Sequence, residues 1–329
     1  MPDLYDVAAI GNAIVDVIAP TTDAWIVENG LTKGAMMLVD PAQSAALYAK
    51  MGSAVEASGG SAANTIAGLA SFGGKGAFMG KVADDQLGRT FAHDMRAIGA
   101  RFENAPLVGG PATAVSMINV TPDAQRTMCT FLGASVEFSD ADVDKDTVEA
   151  AKIVYLEGYL FDAEAARRAF AKAAALAHGS GRMIALTLSD GFVVERHRAG
   201  LMGFIENQVD LLFANETEIT SLFQTDSSDE AVEALRPRVK LAAVTRSAAG
   251  SVILSEGERL TVKAEAVEKV VDTTGAGDQY AAGFMFGLSR GRPLQQCGQL
   301  ASLAAAEVIS HYGPRPQVSL KDLAASRGY

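Results

Sequence analysis

Apolar residues along the chain fall into two alternating patterns. Short runs rich in Val, Ile, Leu and Ala, at 6–10, 153–156, 183–188, 210–213, 241–245 and 251–254, have the length and composition of buried strands. Between them, Ala-rich stretches with apolar residues three and four apart, at 61–72, 88–98, 162–178, 195–207 and 277–290, predict helices. Strands that alternate with helices in this way predict an α/β chain: a doubly wound, mostly parallel sheet covered on both faces.

Two segments break the alternation. Residues 32–40 and 111–131 have strand character with no helix between. In the second, Ala112, Ala114, Ser116, Ile118 and Val120 share one face and Thr113, Val115, Met117 and Asn119 the other, with a turn expected at Thr121-Pro122-Asp123. The economical arrangement is a small β-rich lid over the C-terminal edge of the main sheet; the alternative is an extra antiparallel edge on that sheet. The expected division is a core of 1–14, 55–105 and 136–329 and a lid of 15–54 and 106–135.

Composition narrows the function. The 329 residues are 49% hydrophobic and 20% charged, enough for a large core and unlike a disordered chain. Lys and Arg number 28 against 39 Asp and Glu, and the net charge of −11 repels phosphate backbones and anionic lipid, so neither nucleic acid nor a membrane surface is an expected partner. An anionic ligand must then be held by local backbone N–H groups, a metal or a few placed cations. Cys129 and Cys297 form no disulfide framework, and the four histidines share no ligand spacing. The N-terminus carries acid where a signal peptide has base, and the best apolar stretch, 107–120, is broken by Gly109, Gly110, Pro111 and Asn119, so a cytoplasmic location is expected.

The segment from Val270 to Tyr280 carries the most chemistry. An apolar strand end runs through Asp272, Thr273 and Thr274 into Gly275, Ala276 and Gly277, and then a helix begins with Tyr280, Phe284 and Leu288 on one face and Gly291 as its stop. Small residues let the backbone approach a ligand, and their N–H groups lie at the positive end of the helix: an anion hole. Asp278 falls in the first turn. A carboxylate beside a bound phosphate is repulsive, so a general base for a substrate hydroxyl accounts for its presence. Complementing the helix dipole, for about 0.3–1 kcal/mol, accounts for it equally and is the commoner role.

A second glycine turn, Ser58-Gly59-Gly60-Ser61-Ala62-Ala63-Asn64, also opens a helix, with Ser61 the expected N-cap and Asn64 suited to hydroxyl recognition. Read alone it is more often a turn than a binding site. Neither a Walker loop nor a dinucleotide fingerprint is present: Lys75 is followed by Gly76, and Gly275 and Gly277 are followed by Tyr280 where a third small residue is required.

Together, Gly59-Gly60-Ser61-x-x-Asn64 with its glycine-rich continuation and Asp272-Thr273-Thr274-Gly275-Ala276-Gly277-Asp278 resemble the two signature segments of the ribokinase-like (PfkB) family of carbohydrate and purine kinases. Gly11-Asn12 to Asp16, Asn215-Glu216-Thr217-Glu218 and Thr245 to Gly250 follow in family order, so the resemblance spans nearly the whole chain, and it implies a lid. It further implies an ATP-dependent kinase with Asp278 as catalytic base and Gly275, Ala276 and Gly277 as the anion hole. Asn215 and Glu218 match the segment that organises Mg²⁺, usually through water. Asn12, Asp16, Gly59, Gly60 and Asn64 match acceptor-binding positions; Arg126, Thr245, Thr274 and Ser302 match the phosphate and ATP side; a monovalent cation near Asp272 and Thr274 is left open, as is monomer against homodimer. Ser247 stands where relatives often have Gly. Within the family, the spacing Asn12-x-Ile14-x-Asp16 is similar to adenosine kinases, and Ile14, Met37, Phe131 and Tyr159 are candidate walls for a purine. A nucleoside is the expected acceptor, a sugar of the ribokinase or fructokinase type the alternative, and a catalytically silent sensor a minor one.

Overall fold

The computed structural model describes residues 4–123 and 125–329; the first three positions of the expected core and position 124 of the expected lid lie outside them. The strands are β1 (Tyr5–Ile10), β2 (Ile14–Pro20), β3 (Met36–Leu38), β4 (Val55–Gly59), β5 (Gly76–Met79), β6 (Ala114–Val120), β7 (Arg126–Phe131), β8 (Ala151–Glu157), β9 (Met183–Thr187), β10 (Leu211–Asn215), β11 (Leu241–Thr245), β12 (Ser251–Ser255) and β13 (Glu258–Val262). Eight of them form the main sheet in the order β13-β12-β11-β10-β9-β8-β1-β5, parallel from β11 to β5 with β12 and β13 antiparallel at one edge.

Strands apolar at every position need cover on both faces, and this sheet has it. Ala8, Ile10, Val154, Leu156, Ile184, Leu186 and Val244 join a core with the helices Glu164–Gly179, Gly191–Gln208, Glu216–Phe223 and Ser228–Leu235. Their alternate neighbours Val7, Ala9, Ile153, Tyr155, Ala185, Phe213 and Ala243 pack against Ser61–Ser71, Ala276–Ser289 and Leu294–Val308. The doubly wound α/β architecture is therefore as the sequence pattern indicates. From β1 the chain goes one way to β5 and later returns on the other side to β8. The crevice at the C-terminal ends of β1 and β8 is thus the topological switch point, where open α/β sheets hold their ligands.

The segments without helical alternation form a separate five-strand sheet, β3-β7-β6-β2-β4, and the antiparallel edge of the main sheet comes instead from β12 and β13. The small sheet includes Val55–Gly59 and begins at Ile14, so it extends past the expected boundaries at 54 and 14. The reason is register: Ile14 pairs with Gly59 and Ile18 with Val55, which closes the sheet directly onto the helix that starts at Ser61. One face, with Val15, Val17, Val115, Met117 and Cys129, packs on Trp25 and Leu47 of the sheet's own covering helices, Asp23–Glu28 and Pro41–Tyr48, and on the core below. The other face carries Ile14, Asp16 and Ile18.

Candidate active site

Asp278 lies in the first turn of Ala276–Ser289, as its position after the glycine turn indicates. Gly275 caps that helix at φ 80°, a conformation L-residues avoid, and a Cβ there would strike Pro314. The Asp278 carboxylate accepts from Ser61 Oγ at 2.6 Å on one oxygen and from Asn64 Nδ2 at 3.2 Å on the other. The two glycine turns, more than two hundred residues apart in sequence, therefore face each other across the cleft. Ser61 is not the N-cap expected for its helix: Gly60 holds that place at φ 93°, and the Ser61 hydroxyl is directed at Asp278 instead. Burial pushes the Asp278 carboxyl up to about 6, against the hydrogen bonds of Ser61 and Asn64 and the charge of Arg315, which pull it down.

The side expected to take the acceptor carries Asp16 and Asn12. Asp16 sits on β2 with Gly59 so close beneath it that a Cβ at Gly59 would collide with its carboxylate. Burial raises its pKa to about 7, opposed by Arg315 and Arg126 and assisted by Asp278. Asn12 is buried in the turn after β1, where its backbone N and Nδ2 donate to Glu157 Oε1 at 3.3 and 2.8 Å, while Ala62 N donates to Glu157 Oε2 at 2.9 Å. Glu157, at the end of β8, thus ties both ligand-side turns together at the switch point; burial pushes its carboxyl up to about 7 despite those three donors. Sequence reasoning missed it. The available signal was a lone acid ending an apolar strand, Val154-Tyr155-Leu156-Glu157.

On the side expected to take phosphate, Arg126 reaches down from β7 to ion-pair with Asp272 at 2.6 Å and to donate to Thr274 Oγ1 at 3.2 Å, lying over the Tyr312 ring. Asp272 also accepts from Thr274 N and Oγ1 through Oδ1 and from Gly313 N through Oδ2. Both carboxylate oxygens are therefore engaged, and a monovalent cation at Asp272 would compete with the Arg126 guanidinium. Gly277 differs from Gly275: a Cβ there meets nothing within 4 Å, so its backbone borders open space.

Asn215 and Glu218 lie at the C-terminal end of β10 and form a reciprocal cap, Glu218 N to Asn215 Oδ1 at 2.9 Å and Asn215 N to Glu218 Oε2 at 2.9 Å, with Asn215 Nδ2 on Glu218 Oε1 at 2.7 Å. Burial first, and the nearby charge of Asp190, push the Glu218 carboxyl up to about 7. Among the described residues, no three His, Cys, Asp or Glu side chains gather to cage a metal. One buried carboxylate with spare lone pairs instead suits a hydrated Mg²⁺ held mainly by phosphate oxygens and water. Thr245 pairs with Asn215 in register at the same sheet edge, and Ser302 Oγ accepts from Glu265 N at 2.7 Å, fixing the segment that follows β13. Tyr159 stands among Asp190, Asp278, Glu157 and Glu218, its pKa raised by burial first and then by those charges.

Two expected wall residues, Phe131 and Met37, are not brought to the face of Asp16: Met37 pairs with Cys129 and so lies on the core side. Phe131 and Arg126 are five positions apart on one strand, so they point to opposite faces, and Phe131 packs with Met37 on the core side of the small sheet. Ile14 does share the face of Asp16. Arg315, which sequence reasoning also missed, donates from Nε to Asn64 Oδ1 at 3.2 Å.

The sequence profile of the pfkB family carbohydrate kinases matches residues 6–320. Over 98% of this chain and 99% of its own, the structure of adenosine kinase from Sinorhizobium meliloti is 52% identical, with a TM-score of 0.91. A probable sugar kinase from Rhizobium etli CFN 42 is 47% identical, covering 100% of this chain and 99% of its own, with a TM-score of 0.92. Probable fructokinase-5 of Arabidopsis thaliana is 26% identical over 279 residues, 82% of this chain and 86% of the relative. With its two glycine turns meeting at Asp278 and the family profile spanning almost its full length, the chain belongs to the pfkB family of carbohydrate kinases and is a phosphotransferase of sugar or nucleoside type with an alcohol group as acceptor.

Proposed function

We propose that this chain is a nucleoside kinase that transfers the γ-phosphoryl group of ATP to the 5′-hydroxyl of adenosine, giving AMP. The observation that carries this reading is the register of the small sheet on the face of Asp16. Asp16, Ser116 and Thr130 lie side by side across three strands as a polar row, with Ser116 and Thr130 hydroxyls 3.0 Å apart. The next row on the same face is wholly apolar: Val55, Ile18, Ile118, Met128 and Met36 across all five strands. Two residues along a strand span about 7 Å. A hydroxyl-bearing sugar on the first row therefore leaves a flat apolar base against the second. Met36 and Val55 are 49% and 68% exposed, which for large apolar side chains on a ligand face suits a hydrophobic ligand. A free sugar has no use for that row, although the matches to sugar kinases keep it as the alternative acceptor.

In this reading Asp278, held by Ser61 and Asn64, takes the proton of the attacking hydroxyl, with a pKa close enough to neutrality to serve as a base. The N–H groups of Gly275 and Gly277 receive the phosphoryl oxygens, joined by that of Ala276 once it leaves Thr273 O, to which it donates at 3.2 Å. Arg126, oriented by Asp272 and by Thr274 Oγ1, adds a donor on that side, while Thr245 and Ser302 border the nucleotide. Glu218 and Asn215 would hold Mg²⁺, through water, and the bound ion would neutralise charge on the phosphates. Asn12 and Asp16 receive the ribose hydroxyls. The turn glycines Gly59 and Gly60 allow the close approach of Asp16 on β2 and of the Asn12 turn to the start of the helix Ser61–Ser71.

The test is phosphate transfer from ATP across adenosine, other nucleosides, ribose and fructose. Burying a purine at about 25 cal/mol per Å², less ordering costs, leads us to expect a kcat/KM for adenosine at least about 100-fold above either sugar. Ile118→Asn should damage adenosine selectively, and Asp16→Ala every acceptor alike. Ribose or fructose matching adenosine would transfer the assignment to the sugar-kinase alternative.

A further inference from the structure

The loop after the last long helix passes over the active site and is anchored there at several points. Ile309 O accepts from Val271 N at 2.8 Å, Gly313 N donates to Asp272 Oδ2 at 3.0 Å, and Pro314 O accepts from Gln279 Nε2 at 2.9 Å. Gln279, fully buried next to Asp278, spends the other proton of the same amide nitrogen on Asn64 O at 3.0 Å. The loop therefore has one rigid placement relative to the anion turn and to the helix that carries Asn64. From it Arg315 projects into the cleft, its Nε 3.2 Å from Asn64 Oδ1 and its Nη2 4.0 Å from Met95 Sδ.

The Asn64 amide has one acceptor end and one donor end. With the acceptor end taken by a guanidinium, the donor end is the one left for Asp278, and it is found there at 3.2 Å. We propose that Arg315 is a positioning residue for phosphoryl transfer: by engaging Asn64 Oδ1 it fixes the amide, and through it the Asp278 carboxylate, in the orientation that takes the acceptor's proton. The proposal rests on Asp278 being the base and holds for whichever acceptor is used.

A second consequence follows from charge. The groups facing Asp278 are Ser61 and Asn64 from one helix, Arg315 from the loop, Asp16 from β2, Tyr155 and Glu157 from β8, and Tyr159 just beyond it. Arg126 faces Asp16, and Asp94 faces Arg315. Of these, Arg315 is the cation that lowers the Asp278 pKa. Its removal moves that pKa up, so the acid limb of activity moves to higher pH.

The experiment compares wild type, Arg315→Met, Arg315→Lys, Asn64→Ala and the double variant Arg315→Met with Asn64→Ala, reading kcat against pH at saturating acceptor, where the limb reports groups in the bound complex. Arg315→Met should lower kcat about 10- to 100-fold and move the acid limb up by about one unit. Arg315→Lys should keep the limb near the wild-type position while recovering only part of kcat. The double variant should lose no more than about threefold beyond Asn64→Ala, because the two residues act in series. An unmoved limb in Arg315→Met, or losses that multiply in the double variant, overturns the proposal; Arg315→Lys guards against misreading a folding defect, since a misfolded Met variant leaves the Lys limb and split to decide it. If Asp278→Asn kept most of its activity, the base assignment itself would fail, a result separate from either of these.

Discussion

Two helices in this molecule begin alike and serve different ends. Ser61–Ser71 follows Gly60 at φ 93°, and Ala276–Ser289 follows Gly275 at φ 80°; neither has a side-chain cap, and at both glycines a Cβ would strike backbone atoms. Each therefore presents bare N–H groups at the positive end of a helix dipole. At the first, the fold delivers its own anion: Glu157 accepts from Ala62 N at 2.9 Å. At the second, nothing of the protein fills the space beside Gly277. The same local sequence solution is thus a structural tie where an internal carboxylate meets it and an open helix start, the proposed anion hole, where none does. What separates them is the strand that ends opposite, which no glycine motif encodes.

The sharpest way to break the comparison is at the open helix. Asp278→Asn should lower kcat by about 10²- to 10⁴-fold while ATP still binds, because the N–H groups that hold phosphate are untouched. It removes a buried charge, so the melting temperature should not fall. A variant retaining more than about a third of wild-type kcat would remove Asp278 from the role of base. The pH profile carries the sign: Asp16, which binds the acceptor, and the base Asp278 must both be ionised, and burial raises them to about 7 and about 6, so kcat/KM of the wild type should begin to decline near pH 7, steepen below about pH 6 and be level only above both.

At the filled helix the expected damage is to the fold. Glu157→Ala strips the acceptor from Asn12 N, Asn12 Nδ2 and Ala62 N and leaves a void, and should cost about 2–4 kcal/mol of stability in a denaturant titration. The pair of variants then dissociates: one loses turnover and keeps stability, the other loses stability first. Equal melting temperatures for Glu157→Ala and wild type would show that the tie is dispensable and that the two helix starts differ less than their geometry suggests.

The main sheet was legible because buried parallel strands are apolar at every position, a local signal, and both glycine turns were legible because each is contiguous in sequence. Asp16 and Ile14 shared a face by parity alone. The same parity argument, applied to Arg126 and Phe131, excludes Phe131 from the acceptor face, so that miss lay in the reading and not in the sequence. Glu157, Gln279 and Arg315 are another matter. Their roles depend on which strand end or loop arrives at the switch point, and Arg315 sits in Gly313-Pro314-Arg315-Pro316, which locally specifies nothing more than a turn.

A third turn at the same sheet edge separates two reasons for glycine that coincide at Gly60 and Gly275. Ser247, two residues past Thr245, adopts φ 47° although it is not glycine. The family resemblance implies glycine there, and the loop takes the glycine-type path with a serine. A side chain in this region costs about 1–2 kcal/mol, and glycine gives back about 0.5–1 kcal/mol of that through the greater freedom of its unfolded chain. Ser247→Gly should therefore stabilise the protein by about 0.5–1 kcal/mol, read as a higher denaturation midpoint with an unchanged slope. Backbone strain alone is then a small effect that this fold tolerates in a serine, and it is the collision with Asn12 and Pro314 that makes Gly60 and Gly275 irreplaceable. A midpoint equal to or below wild type would mean that the Ser247 side chain contributes contacts worth its strain, and the separation of the two reasons would not hold.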